Sequence, residues 1–204
     1  MDLSLLDEDS KMRFIAISGF SGSGKSSIIS LVIEDFSRRG IETCVVKRAE
    51  ELEIERHEGR FMKAGAKSVV VTSPDISLVV FKGKIELKDI PKLLWFDFLL
   101  LEGFKEEALP KIVVAKSEKA LELVDEWTIA ITSFKRRIET PRAPFIAPTQ
   151  VPEFLLNRSP YFPLWTNCGL CGYKDCTAFL RNSIRREPSP CPAAYSMKKH
   201  YLPG

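Results

Sequence analysis

The chain has 204 residues, 45% of them apolar, and its 30 basic and 27 acidic side chains leave a formal charge of +3. That length suits one well-buried α/β domain with a small appendage, and the composition argues against a disordered or fibrous chain. The near balance of charge argues against a nucleic-acid binder, and no apolar run approaches the length of a membrane span.

The opening MDLSLLDEDSKM is acidic and mixed, unlike a basic stretch followed by an apolar one, so a cytoplasmic protein is expected. Phe14–Ser18 (FIAIS) then reads as a buried strand, and Gly19–Ser26 (GFSGSGKS) is a complete G-x-x-x-x-G-K-S. Such a loop turns its backbone N–H groups inward around a phosphate chain, which requires glycine where side chains forbid the needed φ. Gly19, Ser21, Gly22, Ser23, Gly24, Lys25, Ser26 and Ser27 are therefore the expected nucleotide-binding residues. Lys25 would supply a mobile positive charge, and Ser26 would offer its hydroxyl to Mg²⁺. The following IISLVIEDFSRRG carries apolar residues at helical spacing, which points a helix N-terminus at the phosphates.

Gly40 stops that helix, and Glu42–Lys47 (ETCVVK) is the second expected strand, with Cys44 a core thiol. A helical stretch around Arg56–Ala64 follows and includes His57, which is given no role. Ser68–Ser73 and Ser77–Phe81 flank a turn at Pro74–Asp75 and read as a hairpin able to add antiparallel strands at one sheet edge. After a short helix within Lys88–Leu94 come strands at Asp97–Leu101, Lys111–Ala115 and Thr128–Thr132, with a helix at Ser117–Val124. Short apolar strands alternating with amphipathic helices predict a P-loop NTPase fold: a mostly parallel sheet with helices on both faces.

A P-loop site needs an acidic group at the end of a neighbouring strand to hold Mg²⁺ or its water. Asp97 opens the DFLLL run and Glu102 closes it. Ligands of open α/β sheets lie at strand carboxyl ends, so Glu102 is the expected partner of Lys25 in any catalysis and of Ser26 at the metal. Gly103 and Lys105 would extend that loop, and Asp75 is a further contributor to consider.

From Lys135 six prolines arrive within thirty residues (Pro141, Pro144, Pro148, Pro152, Pro160 and Pro163), which predicts a semi-rigid linker over 135–164 between a nucleotide domain at 1–134 and a small module at 165–204. In that module Cys168, Cys171, Cys176 and Cys191 spell C-x2-C-x4-C-x14-C, a spacing suited to zinc or to an iron–sulfur cluster. A compact Gly-containing loop, Pro192 after the last cysteine and the lack of a second C-x2-4-C knuckle favour a [4Fe–4S] cluster, which the helical TAFLRNSIRRE would cover. Arg181, Arg185, Arg186, Lys198 and Lys199 form a local basic patch suited to an acidic partner or an anionic pterin.

GFSGSGKS, KAGA at Lys63–Ala66, TSP at Thr72–Pro74 and LLLEGFKEEALPKIVV at Leu99–Val114 resemble the molybdopterin-guanine dinucleotide biosynthesis adapter family, MobB. The resemblance spans Arg13–Ser133. It implies a dimeric P-loop protein that binds GTP, hydrolyses it weakly and assists the nucleotidyltransferase that joins a guanine nucleotide to molybdopterin. Lys47 is kept after the second strand, but the His/Asp-rich stretch usual there reads RAEELEIERHEG in this chain, and no N-K-x-D motif separates GTP from ATP. CGLCGYKDC with its trailing helix and PSPC resembles the four-cysteine [4Fe–4S] domain of the corrinoid iron–sulfur protein large subunit, over Asn167–Pro192. Three functions stand at this point: a nucleotide-dependent accessory protein of molybdenum or tungsten cofactor maturation; an ATP- or GTP-driven electron-transfer or metallocentre activase whose client receives an electron from the cluster; or a binding module whose P-loop holds a nucleotide structurally, which predicts binding without turnover.

Overall fold

In the computed structural model the described residues are 12–49 and 56–196. The first eleven residues, residues 50–55 and the basic Lys198 and Lys199 lie outside them. The chain divides into two compact units, one of residues 1–48 and 91–204, the other of residues 49–90.

The larger unit is built on five strands: β1 (Arg13–Ser18), β2 (Thr43–Lys47), β5 (Phe98–Glu102), β6 (Lys111–Val114) and β7 (Thr128–Thr132). They pair in the order β2-β5-β1-β6-β7, parallel throughout. Central strands covered on both faces carry continuous apolar runs, and β5 and β6 are buried almost end to end for this reason. On one face α1 (Lys25–Arg38) and α4 (Val151–Arg158) pack Ile28, Val32, Phe36, Val151 and Leu155 against Ile15, Ile17, Leu100, Ile112 and Val114. On the other, Val113, Ala115 and Ile131 are covered by the 3₁₀ turn Glu118–Leu123 and by Ile138 and Ala143. The helix expected at Ser117–Val124 is thus a 3₁₀ segment. At the end of α1, Gly40 takes φ 72°, its N–H donates to Ser37 O, and Ile41 N–H donates to Phe36 O, which satisfies two orphan carbonyls while Ile41 packs beside Phe36.

Residues 135–164, expected as a spacer, are part of this unit's packing. Ile131 N–H donates to Pro144 O and Ile146 N–H to Ile131 O, so the chain runs beside β7 before entering α4. Pro152 falls at the start of α4, where the proline's missing N–H leaves no gap in the helix ladder. Phe162 is fully buried, and its ring meets Phe14 at 5.4 Å, Phe96 at 5.9 Å and Trp165 at 4.9 Å. Prolines suggested a spacer, but the apolar residues between them make this segment core.

The cysteine loop and α5 (Cys176–Arg185) follow directly. Arg181 pairs with Glu126 at 3.0 Å and lies over the Trp127 ring, just before β7. Arg13 bridges Tyr161 at the start of β1. The cysteine module therefore docks at the N-terminal ends of β1 and β7, opposite the end where β1 enters the P-loop.

The smaller unit contains α2 (Arg56–Lys63) and the antiparallel hairpin β3 (Ser68–Thr72) and β4 (Ser77–Phe81). The hairpin forms its own two-stranded sheet rather than an edge of the main one. Val70, Val71, Leu78, Val79 and Phe81 are all exposed on it. The short helix α3 (Ile90–Leu93) follows.

Candidate nucleotide and thiol sites

The eight-residue loop is shaped by close approach. A Cβ on Gly19 would fall 2.5 Å from Ser23 Oγ and 2.6 Å from Val114 O, so only glycine fits there. Gly24 caps α1 in the left-handed region at φ 97°, and a Cβ on it would lie 3.0 Å from the Phe134 ring. Ser23 is buried and its Oγ has no hydrogen-bond partner. A buried hydroxyl without a partner is costly, and a phosphate oxygen in the loop would answer it. Lys25 Nζ bonds to Gly19 O at 3.1 Å and Phe20 O at 3.0 Å, holding the ammonium over the loop's own carbonyls. Ser21 and Ser27 are exposed beside the cradle, as is Gly22.

Glu102 stands where the carboxyl-end rule puts it. Ser26 Oγ donates to Glu102 Oε1 at 3.0 Å, and Lys47 Nζ lies 3.8 Å from Glu102 Oε2. A hydroxyl and a carboxylate side by side, with phosphate oxygens to complete the set, fit the hard, mostly water- and phosphate-bound coordination of Mg²⁺. Asp97, at the other end of β5, accepts the Glu42 N–H at 2.7 Å and serves as a strand-end clamp. Lys105 pairs loosely with Glu106, and Asp75 sits in the hairpin turn of the smaller unit.

Two positioning features escaped sequence reasoning. Lys111 is fully buried; its Nζ donates to Asp125 Oδ2 at 2.8 Å and to Lys105 O at 3.0 Å, tying the loop after Glu102 to the β6–β7 turn. Arg48 lies over the Phe104 ring and pairs with Glu107. Lysine in a short strand reads as a solvated end, so nothing in the pattern around LPKI announced a buried cation.

The four cysteines Cys168, Cys171, Cys176 and Cys191 line one concavity with Asn167, Tyr173, Asp175 and Phe179. Cys176 and Cys191 are buried, Cys171 is half-buried and Cys168 is exposed. Asp175 caps α5 by accepting the Ala178 N–H at 2.7 Å, and Asn167 Oδ1 accepts the Cys176 N–H at 2.9 Å. Burial raises the Cys176 thiol pKa; the Asn167 hydrogen bond opposes this, and neighbouring charge at Cys191, Cys171 and Cys168 adds to it. The Leu170 backbone N–H and then the Thr166 hydroxyl lower that of Cys168. The donor set is all soft thiol, which suits zinc or iron–sulfur chemistry. Among the described residues, however, no three His, Cys, Asp or Glu side chains close on a point that could hold one ion.

Among the described residues no helix is long and apolar enough to cross a membrane. A family profile described as "Molybdopterin guanine dinucleotide synthesis protein B" (MobB) matches residues 14–133. The molybdopterin-guanine dinucleotide biosynthesis adapter protein of Haemophilus influenzae is 25% identical over 167 residues, covering 73% of this chain and 90% of that one. A probable adapter protein of the same kind from Bacillus subtilis is 24% identical, covering 60% and 76%. A crystal structure of Bacillus subtilis MobB aligns with a TM-score of 0.62 at 24% identity, over 71% of this chain and 96% of that chain.

Proposed function

The chain belongs to the molybdopterin guanine dinucleotide synthesis protein B family, and from that premise we propose that it is a GTP-binding accessory protein of molybdenum or tungsten pterin cofactor synthesis that also carries a [4Fe–4S] cluster. The observation that supports the nucleotide half most directly is the Ser26–Glu102 hydrogen bond at the mouth of the P-loop. Lys25, now bonded to the Gly19 and Phe20 carbonyls, would turn its ammonium to bound phosphates and neutralise their charge, while backbone N–H groups and Ser23 would complete the cradle. Ser26 and Glu102 would hold Mg²⁺, which when bound would supply charge neutralisation on the terminal phosphates. Hydrolysis is slow on this reading, because Arg48, the arginine adjoining Lys47 near Glu102, is engaged by Glu107 and the Phe104 ring.

The gathering of four thiols around one concavity supports the cluster, with Cys168, Cys171, Cys176 and Cys191 as ligands. A cubane spaces its thiolates over four irons, so they need not converge on one point as they would around zinc. The packed 135–164 segment weighs against hydrolysis-driven rearrangement of two tethered domains, and hence against the activase alternative. The partner is a pterin-cofactor nucleotidyltransferase, and the exposed apolar residues of the β3–β4 hairpin support a homodimer.

Anaerobically purified full-length protein would be assayed for iron, sulfide and zinc, and for Mg-GTP and Mg-ATP binding, with an EPR spectrum of the reduced protein before and after nucleotide. About four irons and four sulfides per chain, Mg-GTP binding and a cluster signal indifferent to nucleotide are expected. Zinc alone removes the cluster, absence of nucleotide binding removes the accessory role, and a nucleotide-dependent signal turns the reading toward the activase.

A further inference from the structure

The P-loop accounts for the phosphates of a nucleotide and leaves its base without a seat. The strand order β2-β5-β1-β6-β7 puts Glu102 and Lys47 on one flank of the loop and the ends of β6 and β7 on the other. If Ser26 and Glu102 were to hold Mg²⁺ on the β5 flank, the β6–β7 flank would be the one left for the nucleoside.

That flank carries an aromatic ring of suitable form. Phe134 follows β7 directly, the Cδ2–Cε2 edge of its ring lies 3.0–3.1 Å from where a Cβ on Gly24 would stand, at the mouth of α1, and the residue is 49% exposed. Its turn is pinned from both sides. Ser133 Oγ accepts the Lys135 N–H at 3.2 Å and the Arg136 N–H at 3.5 Å, and Arg136 pairs with Glu118 of the 3₁₀ turn after β6 at 2.9 Å. A second ring, that of Phe20 within the loop itself, is half-buried with the Lys119 ammonium 5.4 Å from its centroid. Lys116, at the end of β6, brings its Nζ to 4.0 Å from where a Cβ on Gly22 would lie, which adds positive charge on the same flank. An exposed ring, backed by the phosphate loop and fixed by its own turn, is a stacking surface already in place.

We propose that Phe134 is the nucleobase platform of the P-loop site and that its exposed face stacks a purine. The proposal rests on the nucleotide-binding reading above and deepens it. An aromatic face offers neither donors nor acceptors, so the platform favours purines over pyrimidines by contact area and treats guanine and adenine alike. Removal of the ring costs base-dependent affinity and spares the phosphates.

The test is calorimetric titration of the full-length protein and its F134A and F134W variants with Mg-GTP, Mg-ATP, Mg-UTP and inorganic Mg-tripolyphosphate. F134A is expected to weaken GTP and ATP by roughly 5- to 140-fold, the range of one base–aromatic stack, and to leave tripolyphosphate unchanged. F134W is expected to keep purine affinity, with emission quenched by Mg-GTP and not by tripolyphosphate. Equal losses for GTP and tripolyphosphate would overturn the platform, since the ring would then only support the loop. Unchanged GTP affinity in F134A would overturn it as well. Wild-type protein that binds tripolyphosphate and GTP equally well retains the P-loop reading and sinks the platform, whereas wild-type protein that binds neither sinks both.

Discussion

The phosphate loop and the cysteine loop sit at opposite ends of the same sheet and are prepared to different degrees. The first is contiguous: eight residues between a buried strand and a helix set the backbone, and the hydrogen bonds of Lys25 and Ser26 hold its charged parts in place. The second gathers Cys168, Cys171, Cys176 and Cys191 from a loop, a helix start and a distal turn, and leaves Cys168 in solvent. A site read by backbone amides is complete once the chain folds, whereas a site read by thiolates is completed by what it binds.

The sharpest way to break this comparison is to remove one site and measure the other. Lys25→Ala should weaken Mg-GTP binding by more than about 100-fold, or about 3 kcal/mol, and should leave the iron content and spectrum of the proposed cluster intact. If the proposed cluster is present, Cys171→Ala should lose its iron and leave the GTP titration unchanged. A variant that damages both sites would show that the two ends depend on each other.

Next in size are the effects on stability. Asp125→Ala leaves the Lys111 ammonium buried without its carboxylate and is expected to cost about 3–5 kcal/mol. Lys111→Met fills the same space without charge and frees Asp125 to solvent, for a smaller cost of about 1–3 kcal/mol. Urea unfolding of the two variants checks the order, and the reverse order would mean that the ion pair holds little of the loop after Glu102.

The smallest expected effect is a pH dependence. Burial pushes the Cys44 thiol up, so the folded state keeps its proton at a pH where the unfolded chain has lost it. That contribution is complete below the ordinary thiol value of about 8.5 and fades as pH rises through the raised folded value. Wild-type protein should therefore lose more stability than Cys44→Ala between neutral and alkaline pH. Parallel pH profiles of the two proteins would remove Cys44 as the cause.

Much of the larger unit was legible because its determinants are local. FIAI, the IVV of KIVV and the IAI of TIAIT are apolar runs since their strands are covered on both faces, and Gly19 marks a position that a Cβ would block. Glu102 was distinguished from Asp97 by strand direction alone. What stayed hidden depends on packing between distant segments. VPEFLLNR is interrupted by a proline and follows others, so α4 was invisible until Val151 and Leu155 were seen against α1. Phe134 reads as one apolar residue in a basic turn, and only its contact with Gly24, 110 positions earlier in the chain, gives it meaning.

β1 is six residues long and therefore spans about 17 Å. The aromatic joint of Phe14, Phe162 and Trp165 lies at one end of that distance and the phosphate loop at the other. A thiol module fastened at that far edge lies a strand's length from the cradle, so a substitution among the cysteines is separated from the phosphate loop by the whole of β1.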